Sequence, residues 1–266
     1  MEKIILCVKG VPEPGSVKVD PETHTLKRES AELILNPPDR DAIQMALELK
    51  KNYDAEVTAI SMGPPNVIPI LKRIYAQGID KLILLSDRAF AGADTLATSY
   101  VLAKAIRKIS DFSVVLMGLH SIDGETAQVP PETAAILGIP SVTNVKRIWK
   151  EEEKKWIVLR EHEYGEEEVE IEAPFVASIA KEAFDYYTPP SLKRLLKLKE
   201  IEPEVWSASD LEAEPDKLGL KGSPTQVLDV FERKIETTGK IIEAEPEELV
   251  EELIKVLKQK EIIKEV

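Results

Sequence analysis

The sequence predicts an α/β protein: a doubly wound, mostly parallel sheet with an antiparallel excursion, an extended C-terminal arm and a terminal helix. Three observations lead there. Short apolar runs alternate with helical patterns through the first 140 residues or so, the signature of parallel strands joined by right-handed crossovers. Those runs are continuous, as in strands covered on both faces. After Ser141 the pattern changes to strands with charged outer faces, and an amphipathic stripe closes the chain. At 266 residues, with 43% hydrophobic and 31% charged, the chain has enough apolar mass for one large domain with appendages.

Element by element, Ile4–Val8 is the first strand. Pro37-Pro38-Asp39 opens a helix whose stripe is Ala42, Ile43, Ala46, Leu47 and Leu49, with Lys50 and Lys51 near its C-terminal end. Ala55–Met62 is the second strand, and Asn66 to Gln77 a helix closed by Gly78, a good residue just past a helix end. Lys81–Ser86 is the third strand. Asp94-Thr95 caps a helix carrying Lys104, Arg107 and Lys108 on one face. Ser113–Met117 is the fourth strand, followed by a polar loop and a helix from about Pro130 to Leu137.

Residues 142–149, 156–163 and 167–172 read as antiparallel strands around a turn near Tyr164-Gly165, and Phe175–Ile179 is an apolar run that could rejoin the main sheet. Tyr186-Tyr187-Thr188-Pro189-Pro190 leads stiffly into a short helical stretch, Ser191–Lys199. Residues 200–239 have no sustained period and carry Pro203, Pro215 and Pro224, so they read as an extended arm. Pro246 starts a helix with Leu249, Val250, Leu253, Ile254 and Leu257 on one side. The expected divisions are 1–185 for the main domain, 186–199, 200–239 and 240–266. Arm and helix present more surface than a core of about 180 residues can absorb, and a partner subunit would explain them.

Composition narrows the function. Residues 1–150 carry 18 acidic and 18 basic side chains, whereas 151–266 carry 30 and 17, so the whole net charge of −13 lies in the second part. Neither part has the basic stripe that a phosphate-backbone binder needs, which disfavours nucleic acid. No run is long enough to span a membrane. Met1-Glu2-Lys3 leads into an apolar stretch too short for a signal-peptide core, so the expectation is a cytoplasmic protein. One cysteine excludes an intrachain disulfide framework and a cysteine-ligated cluster. Only 4 Asn and 5 Gln stand beside 83 charged residues, a balance that resembles a thermophile's surface.

In an open parallel sheet ligands bind at the carboxyl ends of the strands. The loop after the fourth strand, Gly118 to Pro130, is the most informative. Gly118 ends the strand without a side chain and Gly124 allows a turn with positive φ. Thr126, Ala127, Gln128 and Val129 then offer backbone N–H groups at a helix start where Pro130 or Pro131 could take the first position, a natural phosphate site, or else an ordinary well-capped loop. After the third strand, Ala89, Ala91, Gly92 and Ala93 allow close backbone approach, and Phe90 is either a planar ligand surface or a core plug. No dinucleotide fingerprint, P-loop, nucleophile elbow or zinc-protease motif is present. His24, His120 and His162 stand far apart, so no metal site and no catalytic residue is expected, and only His120 could touch a ligand. Cys7, mid-strand, reads as a buried filler. A nucleotide pocket without acid–base machinery points to binding or electron carriage.

These residues together resemble the beta subunit of the electron-transfer flavoproteins, over roughly residues 1–233. The resemblance rests on Cys7-Val8-Lys9 with Val11-Pro12, Asn36-Pro37-Pro38-Asp39 with Ala42, and Ser61-Met62-Gly63-Pro64-Pro65. It continues with Ser86–Tyr100, Asp123 to Val129, and Leu218 to Thr225. It implies a Rossmann-like nucleotide-binding domain paired with an alpha subunit that carries a mobile FAD. The beta subunit holds structural AMP in ordinary members; in electron-bifurcating members it holds a second FAD, with NADH as substrate. The stretch around Phe90-Ala91-Gly92 and Asp94-Thr95 resembles the bifurcating group. The resemblance implies that Val8, Asn36 and Met62 line an adenosine pocket, that Asp123 and Thr126 to Val129 hold phosphates, and that Asp39 and Ala89 to Thr95 lie near the flavin ring. It also makes 186–199 a recognition loop whose Leu192 docks on a partner dehydrogenase or quinone oxidoreductase, with ferredoxin as a low-potential acceptor. From the residues alone, Leu192 would pack into its own short helix, and Lys193, Arg194, Lys197 and Lys199 would either steer an acidic partner or form a solvated face. Two departures stand out: Glu125 where aspartate is common, and a tail after about Arg233 that extends beyond the usual core.

Overall fold

The computed structural model describes residues 2–14, 32–226, 239 and 241–263. Two units separate, residues 1–230 and 231–266. In the first, the strands are β1 (Lys3–Cys7), β2 (Gly10–Pro12), β3 (Leu33–Leu35), β4 (Glu56–Met62), β5 (Lys81–Leu85), β6 (Val114–Gly118), β7 (Ser141–Lys150), β8 (Lys155–His162), β9 (Gly165–Glu172), β10 (Phe175–Ile179) and β11 (Glu204–Trp206). The helices are α1 (Asp39–Tyr53), α2 (Ile68–Gln77), α3 (Thr95–Ile109), α4 (Val129–Leu137) and the single turn α5 (Leu192–Leu195).

Among the described residues, nine strands form one sheet in the order β11-β5-β4-β1-β6-β10-β7-β8-β9. All neighbours from β11 to β7 pair in parallel, and β7-β8-β9 is an antiparallel meander. This is the doubly wound fold with its antiparallel excursion. The chain steps outward from β1 through β4 to β5, then returns to the other side of β1 with β6. Strand order therefore reverses between β1 and β6, and the carboxyl ends of those two strands flank the crevice where such sheets take ligands.

The crossovers explain the two cores. One is built by Ala42, Ile43, Ala46 and Leu49 of α1 and Leu71 and Ile74 of α2, packed on Ile4, Leu6, Val57 and Ala59. The other joins Val101, Leu102, Ala105 and Ile106 of α3 to Ile5, Ile60, Ile83, Val115 and Met117. Successive residues of β1 thus face opposite cores, which is why the run is apolar throughout. Trp156 of β8 is fully buried and meets Tyr53 and Phe175 edge-on at 5.4 and 6.2 Å between ring centroids.

Several elements differ from the sequence reading. β2 and β3 form a small antiparallel pair of their own; three residues each are too short to show a period. Phe175–Ile179 does rejoin the main sheet, inserted between β6 and β7. In the stretch read as helical over Ser191–Lys199 only α5 is helix; from Leu196 to Glu200 the chain continues in turns, with Lys197, Leu198 and Glu200 N–H donating to carbonyls three residues back. The described part of the arm is not free chain: β11 extends the sheet beside β5, and Leu211 and Leu218 are buried in the second core.

The second unit contains α6 (Pro246–Gln259), with Glu247 and Glu248 in its first turn and Lys258 in its last, matching the helix dipole. Leu249, Val250, Leu253 and Ile254 of its apolar side are exposed. No helix among the described residues is long and apolar enough to cross a membrane.

Candidate functional site

Three loops meet at the reversal point. Lys9 follows β1, Asn36 and Asp39 lie at the start of α1, and His120 to Asp123 follow β6. Asn36 and Asp39 are both buried (1% and 4% exposed). The Asp39 carboxylate accepts from the Lys9 backbone N–H at 2.7 Å and from Asn36 Nδ2 at 2.8 Å. Asn36 also donates to the His120 carbonyl at 2.9 Å and accepts from the Ile122 N–H at 3.1 Å. One amide side chain therefore ties the α1 entrance to the β6 loop. Lys9 Nζ reaches across to both oxygens of Asp123, at 2.7 and 2.8 Å.

Charge in this knot is unevenly compensated. Burial pushes the Asp39 carboxyl up to about 7, against the lowering effect of Asn36 and the Lys9 amide, and the Asp123 charge adds to the rise. Burial also opposes ionisation of Asp123, but there the Lys9 ammonium outweighs it and holds the carboxyl below its ordinary value. Gly118 is where it is because Asp39 leaves no room: a Cβ would lie 2.3 Å from Asp39 Oδ1.

Beyond Asp123 the loop bends back on itself, with the Gly124 and Glu125 N–H groups both donating to the Ser121 carbonyl. Positive φ falls on Glu125 (53°) and Ala127 (54°), not on Gly124 as the sequence reading had it. α4 begins at Val129, so Pro130 takes the second helical position rather than the first. The backbone N–H groups of Thr126, Ala127, Gln128 and Val129 have no partner among the described residues. A left-handed residue followed by a right-handed one, with free amides, is the geometry of an anion nest at a helix start.

The N-terminus of α3 stands beside it. Thr95 Oγ1 lies 3.2 Å from Gln128 Oε1 and from Glu132 Oε1, and Ser99 Oγ lies 3.1 Å from Glu132 Oε2. Thr95 and Leu96 N–H also lack partners among the described residues. The Asp94 carboxylate already has partners within the chain. Oδ1 accepts from the Ala97 N–H at 3.0 Å, and Oδ2 from the Thr225 N–H and Oγ1 at 3.0 and 2.8 Å. Phe90 is a core plug, 5% exposed against Tyr100, Leu211 and Leu218, so it offers no planar surface. Ala89, Ala91 and Gly92 are exposed.

Val8, at the end of β1, and Met62, at the end of β4, lie at the carboxyl edge of neighbouring strands, and Ser61 Oγ, one residue before Met62, is buried and has no partner among the described residues. A cavity of about 650 Å³ lies elsewhere, between Ala89 and the arm residues Ala208 to Lys221. Cys7 is buried and burial pushes its thiol up, which leaves no reactive thiolate. No group of three His, Cys, Asp or Glu able to hold a metal occurs among the described residues. Leu192 is 72% exposed, so it does not pack into its own turn. Arg194 is turned inward, donating to the Tyr75 and Ile79 carbonyls at 2.9 and 2.5 Å. Lys9, Ser223 and Thr225 entered no expected site, since their partners lie 114 to 131 residues away.

The fold and these loops define a class: a doubly wound α/β domain whose polar loops converge at the strand-order reversal beside two adjacent helix starts. Comparison with known proteins then narrows it. Residues 23–211 match the model of the electron transfer flavoprotein domain. The chain is 39% identical over 261 residues to the electron transfer flavoprotein subunit beta of Clostridium acetobutylicum, covering 98% of this chain and 99% of that one. It is 40% identical over 263 residues to subunit CarD of the caffeyl-CoA reductase-Etf complex of Acetobacterium woodii (98% and 100%). It is also 37% identical over 271 residues to the acryloyl-CoA reductase electron transfer subunit gamma of Anaerotignum propionicum (98% and 100%). The chain belongs to the electron transfer flavoprotein family, among its beta subunits. The tail after Arg233 is no departure from these relatives, because the matched lengths take it in.

Proposed function

We propose that this chain is the beta subunit of a heterodimeric electron-transfer flavoprotein of the bifurcating kind, cytoplasmic, holding FAD in the crevice described above. The observation that carries the reading is the pair of adjacent helix starts. Four unpartnered amides at Thr126 to Val129 fit one phosphate, and those of Thr95 and Leu96 fit a second next to it, as a dinucleotide requires and AMP does not. Val8, Asn36 and Met62 would line the adenosine. Asp123, an acceptor paired to Lys9, suits ribose hydroxyls better than phosphate oxygens. Gly124 and the small residues Ala89 and Ala91 leave room beside the ring, with Gly118 closed against Asp39 and Gly92 against Leu220 behind them.

With FAD bound, the chemistry supplied is acceptance of a hydride from NADH and its release as single electrons, one toward the alpha-subunit FAD and a quinone- or acyl-CoA-linked acceptor, one toward a low-potential carrier such as ferredoxin. This chain's own residues bind and orient: backbone dipoles hold the phosphates, and the Asn36–Asp39–Lys9 knot fixes the loops around them. The exposed Leu192, with Lys193 and Lys197 beside it, is the docking surface for the partner dehydrogenase or quinone oxidoreductase.

The test is to co-express the chain with its alpha partner, denature the complex and quantify released nucleotide by chromatography. Two FAD and no AMP per heterodimer, with bleaching by NADH, is the expected result. One FAD and one AMP would make the chain a structural AMP holder and withdraw the NADH step.

A further inference from the structure

The loop after β5 begins with one tight turn, Arg88–Phe90, capped by the Asp87 carboxylate, which accepts from the Ala89 N–H at 3.0 Å. Ala89, Ala91, Gly92 and Ala93 carry no side chain that could anchor them, and Phe90 points into the core. Beyond that turn it is buttressed by residues 218–225, more than 120 positions later. At Gly219, which has φ +50°, a Cβ would lie 2.5 Å from the Ala89 carbonyl oxygen and 2.6 Å from that of Ala91; at Gly92, with φ +74°, a Cβ would lie 2.6 Å from Leu220 Cγ. The two backbones approach as closely as glycine permits.

The later segment is braced before it touches the loop. The Gly222 N–H donates to the Leu218 carbonyl at 2.9 Å, and Ser223 Oγ donates to the Gly219 carbonyl at 2.7 Å. It is moored at its base, where the Glu214 N–H donates to Tyr100 Oη at 3.0 Å and the Ala208 N–H to Asp87 Oδ2 at 3.0 Å. It then closes on Asp94: Ser223 Oγ accepts the Asp94 N–H at 2.8 Å, and Thr225 gives its N–H and hydroxyl to Asp94 Oδ2. These donors, with the Ala97 N–H, outweigh burial and hold the Asp94 carboxyl below its ordinary value.

We propose that Ser223 and Thr225 are positioning residues that set nucleotide specificity: by clasping Asp94 they hold the 89–95 loop clear of the space beside the phosphates, and so admit the flavin half of a dinucleotide. The inference rests on the reading that this site takes FAD. The adenosine and first-phosphate contacts, at Asn36, Met62 and 126–129, make no hydrogen bond to the clasp. Opening the clasp should therefore cost FAD its place and leave AMP bound. The chemistry at Asp94 supports this split: the hydroxyl contacts of the clasp end on Asp94, whereas the 126–129 nest takes its shape from its own backbone turn, so losing those contacts acts first on the small-residue loop.

The experiment uses the heterodimer, stripped of nucleotide and re-equilibrated with equimolar FAD and AMP, then separated and quantified. The alpha site takes one FAD in every sample and serves as the internal count. Wild type is expected to take a second FAD. S223A/T225V should take AMP in its place, a fall of at least tenfold in the FAD-to-AMP ratio of the beta site. T225S, which keeps the hydroxyl, should behave as wild type. A double variant that keeps its second FAD, or that loses FAD and AMP equally, would overturn the clasp while leaving the FAD reading intact. AMP in place of the second FAD on the wild type would overturn the FAD reading itself, and the clasp with it.

Discussion

Asp39 sits under the crevice with two hydrogen-bond donors and no counterion in direct contact, and its raised pKa has a measurable consequence. Below about pH 4 the carboxyl is protonated in folded and unfolded chains alike. Between there and about 7 the folded chain keeps a proton that the unfolded chain gives up. The contribution of this group to stability therefore falls as pH rises through that window and levels off above it, by on the order of 4 kcal/mol. Denaturant titrations of wild type and Asp39→Asn from about pH 4 to pH 8 should differ by that slope; parallel curves would refute the assignment. Gly118→Ala should cost about 1–3 kcal/mol, because the added Cβ meets the Asp39 side chain and backbone rather than a movable side-chain tip. A thermal melt reads it. In the sequence Gly118 reads as a strand end and Asp39 as a helix opener; that one makes room for the other depends on a contact 79 positions apart, which no local pattern carries.

The elements show the same division. Helices and parallel strands were legible because each buries an apolar face with its own period: the α1 stripe and the unbroken run of β1 are examples. β11 was not, since Glu204-Val205-Trp206 is three residues long and is a strand only because β5 leaves an edge to pair with. The outer edge, β9, is guarded by charge. Glu166, Glu168, Glu170 and Glu172 alternate along it, and Lys146 and Lys155 pair with two of them. Replacing Glu166 and Glu168 by Val should make the isolated chain self-associate, which sedimentation velocity would detect as a concentration-dependent shift. In α5 the two kinds of residue separate. Leu192→Glu should leave the melting temperature unchanged, being exposed, and weaken partner docking. Arg194→Ala should cost about 1–2 kcal/mol, because its guanidinium satisfies carbonyls at the C-terminal end of α2 and stacks on Tyr75 at 4.8 Å. Reading Arg194 as surface charge was natural from the cluster of basic residues; only the packing of α5 on α2 reveals its direction.

For the molecule as a whole, the crevice is assembled from loops that no secondary structure joins, so the bound nucleotide should contribute to stability directly. At free nucleotide about a hundred times its dissociation constant the linkage is about 2.7 kcal/mol, or roughly 5–10 °C in melting temperature for a chain of this size. Stripping the nucleotide should lower the melt by that amount, and adding AMP or FAD back should restore it; an unchanged melt would count against the crevice as the binding site. The fold class and the position of the crevice could be read in the sequence because both follow from strand alternation. What brings Lys9, Asn36, Asp123, Asp94 and Thr225 together could not, since sheet order and the return of the arm are set by pairing between distant segments.

Helix α1 links the crevice to the stretch that carries Leu192. Its first residue, Asp39, lies beneath the crevice, while Asp41, Gln44 and Glu48 accept hydrogen bonds from Glu182, Phe184, Thr188 and Tyr186, fastening the stretch that leads to Leu192. At 1.5 Å per residue, Asp39 and Glu48 are about 14 Å apart along a stiff rod. On the proposed function that rod would act as a ruler: a protein seated on the leucine surface would meet the cofactor at a separation written into one helix, and lengthening α1 by a residue would reset the gap that electrons would cross.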